Sequence, residues 1–353
     1  MARIVAGSCD RYDPDELRRF FNNAFKEVDF AFDRCKVLLK PNLLSGKPPH
    51  KAVNTHPQFI KVLAEMFLEK SCDVYVGDSP GYESTERALK GSGIMDVVRE
   101  LRLKVAPFDR RLLKRFQGIS PYREFIVGED PADYDIIVNL PKLKTHAMMG
   151  LTLGVKNVFG FVPRFEKAKW HLRAGRDALL FAAILIDIYT IVKPSITILD
   201  GIVGMDGDGP SSGRPRDFGV VAVSKDALAL DVFVESSLGL TSRLPLTGLA
   251  LEKGLVEEAD VIDFGMPAIR DFAMPKSMDV GFNLPSAVRN TMKRVFVRKP
   301  KCARDLCKRC GICAEVCPAG ALISDEEFPT FDYKKCIRCY CCQEMCPEGA
   351  IRV

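Results

Sequence analysis

No run of apolar residues in this sequence is long enough to cross a bilayer. The most apolar stretch, Ala178–Val192, falls short of the roughly 20 residues a transmembrane helix needs and carries Asp187 within it, which marks it as a buried helix. Residues 1–7 form a short strand-like run followed by polar residues, without the apolar core of a secretory leader. A reducing cytoplasm is the expected compartment, and no membrane partner is expected. Net charge is also scarce: 51 lysines and arginines against 46 aspartates and glutamates leave a formal +5. No basic stripe interleaved with aromatic residues accompanies it, so nucleic acid is not an expected partner. One local exception is the segment 289–309, where Arg289, Lys293, Arg294, Arg298, Lys299, Lys301, Arg304, Lys308 and Arg309 face only Asp305. Charge runs of this kind are usually solvated linkers, and a docking surface for an acidic redox partner protein is the alternative.

What is present is an ordinary globular composition, 47% hydrophobic and 27% charged, on a chain of 353 residues. That length predicts a large domain with a core of its own plus a small appendage. The division expected is an α/β domain over 1–285, a basic linker over 286–300 and a small α+β module over 301–353.

The module is marked by cysteine. Eight of the 13 cysteines fall into two copies of one pattern, Cys307-x2-Cys310-x2-Cys313-x3-Cys317-Pro318 and Cys336-x2-Cys339-x2-Cys342-x3-Cys346-Pro347. The tails match too, Ala319-Gly320-Ala321-Leu322 against Glu348-Gly349-Ala350-Ile351, which identifies an internal duplication. Three cysteines at this spacing let a tight loop wrap three corners of a cubane while a fourth thiolate arrives from elsewhere. In two-cluster ferredoxins that fourth ligand crosses to the other cluster. Two 4Fe–4S clusters are therefore expected, one on Cys307, Cys310, Cys313 and Cys346, the other on Cys336, Cys339, Cys342 and Cys317. A zinc ribbon would leave the third and fourth cysteine of each copy unexplained, and a disulfide scaffold lacks a secretion signal. Two oxidised clusters, each about −2 with its thiolates, would nearly cancel the formal positive charge. Of the remaining cysteines, Cys9, Cys35 and Cys72 read as small buried hydrophobes. Cys302 and Cys341 stand close to the motif, and packing is favoured for them over a role as alternative ligands or redox-sensitive thiols.

Ahead of the linker, short β-branched runs alternate with longer helical segments, the pattern of an α/β domain with a largely parallel sheet. Strands are predicted at 3–6, 36–39, 73–77, 135–139, 195–199 and 219–223, and helices at 14–28, 57–69, 85–90, 176–192 and 227–237. Several strands run directly into polar residues: Lys40-Pro41-Asn42, Gly77-Asp78-Ser79-Pro80-Gly81, Asn139-Leu140-Pro141-Lys142-Leu143-Lys144-Thr145-His146 and Asp200-Gly201. Ligands of open α/β sheets bind outside the carboxyl ends of the strands. Lys40, Asn42, Asp78, Lys142, Lys144, His146 and Asp200 are thus placed in one candidate cleft, with Lys156 and Asn157 of Gly154-Val155-Lys156-Asn157 added from further on. Turn chemistry accounts for Asp78 as readily as function does. It accounts poorly for lysines, which neither cap nor break, so an anion-binding site for a carboxylate or phosphate is expected. Lys142, Lys144 and His146 are the candidate catalytic residues, His146 because imidazole titrates near neutrality. His50, His56 and His171 have weaker settings, and His56-Pro57 reads as a helix entry. The glycine-rich run 200–213 lacks the Gly-Lys-Ser/Thr of a Walker loop and misses the GxGxxG spacing, and Pro210 spoils it as a calcium loop. A mobile loop over the cleft is the reading adopted for it.

The same segments, with the lysine-rich strand end and the following Gly-Val-Lys-Asn the most specific among them, resemble the prokaryotic family called domain of unknown function 362, over roughly residues 1–280. The resemblance implies the domain layout, since members are often fused to a ferredoxin-like module, and it supports the choice of cleft residues. It implies no reaction. The leading expectation is a ferredoxin-coupled oxidoreductase acting on an anionic small molecule, because covalent fusion holds an electron donor at high effective concentration beside its acceptor. Nothing in the sequence decides between a flavin and the substrate itself as that acceptor. An electron carrier or maturation adapter with a partner-recognising, non-catalytic α/β domain is the alternative, and a non-redox enzyme with structural clusters is a third.

Overall fold

The computed structural model describes residues 1–240, 242–256, 258–278, 298–324 and 327–353. Most of the expected linker, with Arg289, Lys293 and Arg294, lies outside the described residues.

One large sheet carries the first domain. Its strands are β1 (Ala2–Ser8), β2 (Lys36–Pro41), β3 (Asp73–Val76), β4 (Lys104–Val105), β7 (Ile136–Leu140), β10 (Ile196–Asp206), β11 (Arg214–Ser224) and β12 (Ala259–Phe264), in the order β12-β1-β11-β10-β7-β2-β3-β4. The hairpin of β5 (Leu112–Arg115) and β6 (Glu124–Val127) lies apart, and β8 (Lys142–His146) with β9 (Gly150–Thr152) is attached beside β10. Every main-sheet pairing is parallel except those of β11 with β1 and β10. The fold is therefore α/β with a mostly parallel sheet, as the alternating pattern predicted.

The central strands are apolar on both faces because helices cover both. Along β2, Val37 and Leu39 enter one core and Leu38 the opposite one, the period of two that a strand imposes. Helices Pro14–Glu27 and Pro57–Glu69 supply the first core with Leu17, Phe21, Phe59, Leu63 and Phe67. Each begins with proline at its first turn behind a capping side chain, Asp13 in one and His56 in the other. Helix Ala178–Val192 fills the opposite core. Its Asp187 is tolerated there because its carboxylate accepts the Ile119 N–H at 2.8 Å and the Ser120 N–H at 3.0 Å.

Two sequence expectations are corrected. Residues 142–146, read as polar residues following a strand end, form a strand of their own, β8, with all five residues buried. The glycine-rich run 200–213 is strand as far as Asp206, so only the turn between β10 and β11 remains loop.

The C-terminal module repeats itself in backbone as well as in sequence. Short helices span Ile312–Glu315 and Cys341–Glu344. The left-handed residues ahead of them, Arg309 and Gly311 in one copy and Arg338 and Tyr340 in the other, are equivalent. Strand β13 (Lys301–Cys302) pairs antiparallel with β16 (Ile351–Arg352), and β14 (Leu322–Ser324) with β15 (Pro329–Phe331), so each small sheet is built within or across the two copies.

Candidate functional site

The expected single cleft divides into two parts. Behind the site, two lysines are sealed in ion pairs. Lys40 Nζ lies 2.9 Å from Asp78 Oδ1, and Lys142 Nζ lies 2.8 Å from Asp200 Oδ2 and donates to Tyr12 Oη at 2.8 Å. Tyr12 in turn donates to Asp200 Oδ1 at 2.9 Å and stacks on His56, whose backbone N–H also binds Asp200. Burial lowers both lysine pKa values and the facing carboxylates oppose the shift. Lys142, Asp200 and Lys40 therefore brace the ends of β8, β10 and β2 rather than face a ligand.

In front lies a cavity of about 190 Å³ between the α/β domain and the C-terminal module. Asn42, Asp78, Lys144, His146, Lys156 and Asn157 of the expected set line it. Asn42 donates to Asn157 Oδ1 at 2.9 Å, and Asn157 to Asn139 Oδ1 at 2.8 Å, which fixes the floor. The short helix Gly154–Asn157 is placed by buried Asp231, whose carboxylate accepts the N–H groups of Gly154 and Val155 at 2.7 and 2.9 Å.

Among the described residues, the cavity lysines Lys144, Lys156 and Lys167 have no carboxylate within ion-pair distance. Lys144 Nζ donates to Val53 O at 2.5 Å, and burial, with Lys156 as the next cause, pulls its pKa down to about 7. Lys167, bound to the Ser79 carbonyl, is likewise lowered by burial to about 7. Lys156 is half-buried; its ammonium makes no hydrogen bond or ion pair among the described residues and feels Glu344 only at longer range. His146 accepts the N–H groups of Met148 and Met149 on Nδ1, both at 3.1 Å, which assigns its proton to Nε2. Nε2 lies 2.5 Å from Glu344 Oε1, at angles outside those of a hydrogen bond. Burial drives His146 down to about 4. Burial also works against ionised Glu344, but His146 and Lys156 outweigh it and hold the carboxyl low. A neutral Nε2–H imidazole facing an ionised carboxylate fits the Nδ1 contacts, and is the state adopted here.

Other cavity residues were not foreseen. Arg164, Lys167 and His171 come from helix Arg164–Ala174, where positions 164, 167 and 171 share a face, a helical spacing that was the available signal. His171 packs against Phe181 and Phe159, and its Nδ1 is buried without a hydrogen bond. Glu315, Val316, Cys317, Pro318, Cys341, Glu344 and Met345 come from the module, and no local pattern announces a wall supplied by another domain. The modules also meet through Tyr82 Oη to Glu315 at 2.6 Å, Arg176 to the Cys336 carbonyl at 2.9 Å, and Lys47 to the Pro347 carbonyl. Pro210, in the β10–β11 turn, reaches the cavity, and Ser211 donates to the Gln343 carbonyl at 3.3 Å.

The cysteines gather in two sets. Cys307, Cys310, Cys313 and Cys346 ring one hollow, and Cys317, Cys336, Cys339 and Cys342 ring another. Each set takes its fourth member from the other copy of the repeat. Backbone N–H groups reach the sulfurs of Cys307 from Arg309 at 3.4 Å, and those of Cys317 and Cys346 from Ala321 and Ala350 at 3.2 Å. Among the described residues no three side chains converge as a single metal ion would require. Four cysteine thiols around one hollow are the donor set that a 4Fe–4S cluster takes.

Residues 37–234 match the family described as Domain of unknown function (DUF362). The chain belongs to this family. Residues 304–323 and 329–352 match the 4Fe-4S binding domain, so this DUF362 protein is an iron–sulfur protein with its 4Fe–4S module in C-terminal position. A thylakoid-associated protein of Synechocystis sp. is 33% identical over 270 residues, covering 74% of this chain and 84% of that protein. The lactate racemase apoprotein from Thermoanaerobacterium thermosaccharolyticum superposes with a TM-score of 0.44 at 11% identity, over 66% of this chain and 57% of that one. A Thermotoga maritima protein gives 0.43 at 12%, over 65% and 59%. The chain spans less than two thirds of either structure, and these likenesses are too distant to carry an argument about function. No helix among the described residues is long and apolar enough to cross a membrane.

Proposed function

We propose that this chain is a redox protein with two 4Fe–4S clusters, one on Cys307, Cys310, Cys313 and Cys346 and one on Cys317, Cys336, Cys339 and Cys342, coupled to an anionic small molecule in the cavity between the domains. The observation that carries the reading is that Cys317 belongs both to a cysteine set and to the wall of a cavity holding Lys144, Lys156, Lys167 and Arg164. When bound, such clusters supply or accept one electron each and leave bond chemistry to the ligand. The chain's own residues have distinct tasks. Lys156, whose pKa burial lowers and Glu344 props up without an ion-pair contact, offers its ammonium to a carboxylate or phosphate. Lys144 and Lys167, both near 7, can hold or release a proton at Nζ as the charge of the ligand changes. His146 and Glu344 close the cavity against the module.

An acidic redox partner is proposed at the other cysteine set. Cys310 is exposed there among exposed Arg304, Lys308 and Arg309, with both arginines over the Phe328 ring. The same basic rim would serve a pure electron carrier, which is the second reading.

Native mass spectrometry on full-length protein purified without oxygen separates the two. Eight irons, eight sulfides and a further mass that vanishes in Lys156→Met are expected. Fewer than eight irons would contradict the cysteine assignment. Eight irons with no ligand retained or captured, and partner reduction untouched by Lys156→Met, would favour the carrier.

A further inference from the structure

The α/β domain contains a second sulfur site, remote from the clusters. Cys35 and Cys72 immediately precede β2 and β3, which run parallel with Lys36 opposite Asp73. The Asp73 N–H donates to the Cys35 carbonyl at 2.8 Å, so the two cysteines sit side by side on neighbouring strands. Neighbouring strands lie about 4.8 Å apart, inside the range of roughly 4.4–6.8 Å between Cα atoms that a disulfide spans. The two Sγ atoms are already 3.0 Å apart. Cys72 is buried and Cys35 partly exposed. The expectation that both merely pack as hydrophobes is thus incomplete: each thiol's nearest polar partner is the other.

We infer that Cys35 and Cys72 form a reversible disulfide, with a low-molecular-weight disulfide as oxidant. The accessible Cys35 thiolate attacks RSSR, forming a Cys35–SR bond and expelling RS⁻. Cys72 then attacks Cys35 Sγ, forming the Cys35–Cys72 bond and expelling a second RS⁻. The two thiols lose two electrons and two protons, and the oxidant leaves as two RSH. Burial, and then Cys72, push Cys35 up to about 12, which keeps its thiolate scarce at neutral pH and makes the exchange slow. The pair is therefore suited to sustained oxidative conditions rather than to fast sensing. It lies at the opposite ends of β2 and β3 from Asn42 and Asp78, roughly 20–23 Å along the strands. Its effect falls on the sheet and leaves the cavity geometry alone.

The test treats the cluster-loaded, full-length protein with oxidised glutathione under nitrogen, followed by acid quench, alkylation and peptide mapping. A linked peptide containing Cys35 and Cys72 is expected, at unchanged iron content, with a reversible rise in Tm of roughly 5–10 °C. Cys72→Ser should trap glutathione on Cys35, and the Cys35→Ser/Cys72→Ser double variant should show no Tm rise. Full alkylation of both cysteines at every exposure time, or a glutathione adduct on wild-type Cys35 that never resolves onto Cys72, would overturn the inference.

Discussion

Four lysines surround the ends of the central strands, and what separates them is the anion each can reach. Lys40 and Lys142 have carboxylates at 2.9 and 2.8 Å. Removing one partner of such a pair leaves an uncompensated buried charge, so Asp200→Asn should cost about 3–5 kcal/mol in urea unfolding. A loss under 1 kcal/mol would mean Lys142 is not held by that carboxylate. Lys144 is the opposite case, because among the described residues its one hydrogen bond goes to a carbonyl. Its pKa is about 7 in the folded chain against 10.5 in the unfolded one. The unfolded state therefore takes up the proton more readily as pH falls. Stability declines from about pH 10.5 towards pH 7 and levels off below, the whole penalty being present in acid. Lys144→Met removes it, and should stabilise the protein by about 1–3 kcal/mol at pH 6 with no gain above pH 10. Urea melts at the two pH values check this, and a loss at pH 6 would show that Lys144 is kept for the fold. Lys156 and Lys142 press in the same direction as burial, while Glu344 and Asp78 oppose it. A gain at pH 6 would fit the ligand-binding role proposed for Lys144.

At the scale of elements, the approach of the helical turn Val158–Phe161 to the end of β3 makes one glycine indispensable. A Cβ on Gly160 would stand well inside van der Waals contact of Asp78 Oδ1 and meet Lys40 Nζ at 2.5 Å. Gly160→Ala should therefore break that ion pair and lower stability by about 3 kcal/mol or more, measured by thermal melting. An unchanged Tm would show that the turn can retreat. Which elements were legible in advance follows from their chemistry. Central strands such as β2 and β7 are short β-branched or leucine runs ending in turn residues, and the helices at 57–69 and 227–237 carry their own caps, so both kinds announced themselves. Strand β8 did not, since Lys142-Leu143-Lys144-Thr145-His146 places three ionisable residues where a buried strand normally has none. Burial of those groups depends on Asp200, Tyr12, Val53 and Glu344, which are contributed by distant parts of the chain. The same nonlocality hid half the cavity wall. The cysteine sets were the most legible feature because their spacing encodes the geometry directly.

The whole molecule joins a domain with extensive cores of its own to a module of some 50 residues whose apolar cluster is half cysteine, the rest being Leu306, Ala314, Leu322, Phe331, Ala350 and Ile351. A module of that size rarely holds together without crosslinks. The crossing of Cys317 and Cys346 between copies would supply them only through bound metal. The cavity inherits that dependence, because Glu315 to Pro318, Cys341, Glu344 and Met345 form one of its walls. Stripping iron with a chelator should therefore leave helices Pro14–Glu27 and Pro57–Glu69 as protected from hydrogen exchange as before, while residues 301–353 exchange freely. Binding of an anion to the α/β domain should be lost together with the iron, even where that anion is no redox reagent, because Lys144, Lys156 and His146 would then face open water. Protection of residues 301–353 that survives iron removal would show that the module folds without clusters, and the cavity would then owe nothing to the metal. Retained binding on a module that has unfolded would place the anion wholly on the α/β domain, and the closeness of Cys317 would lose its meaning.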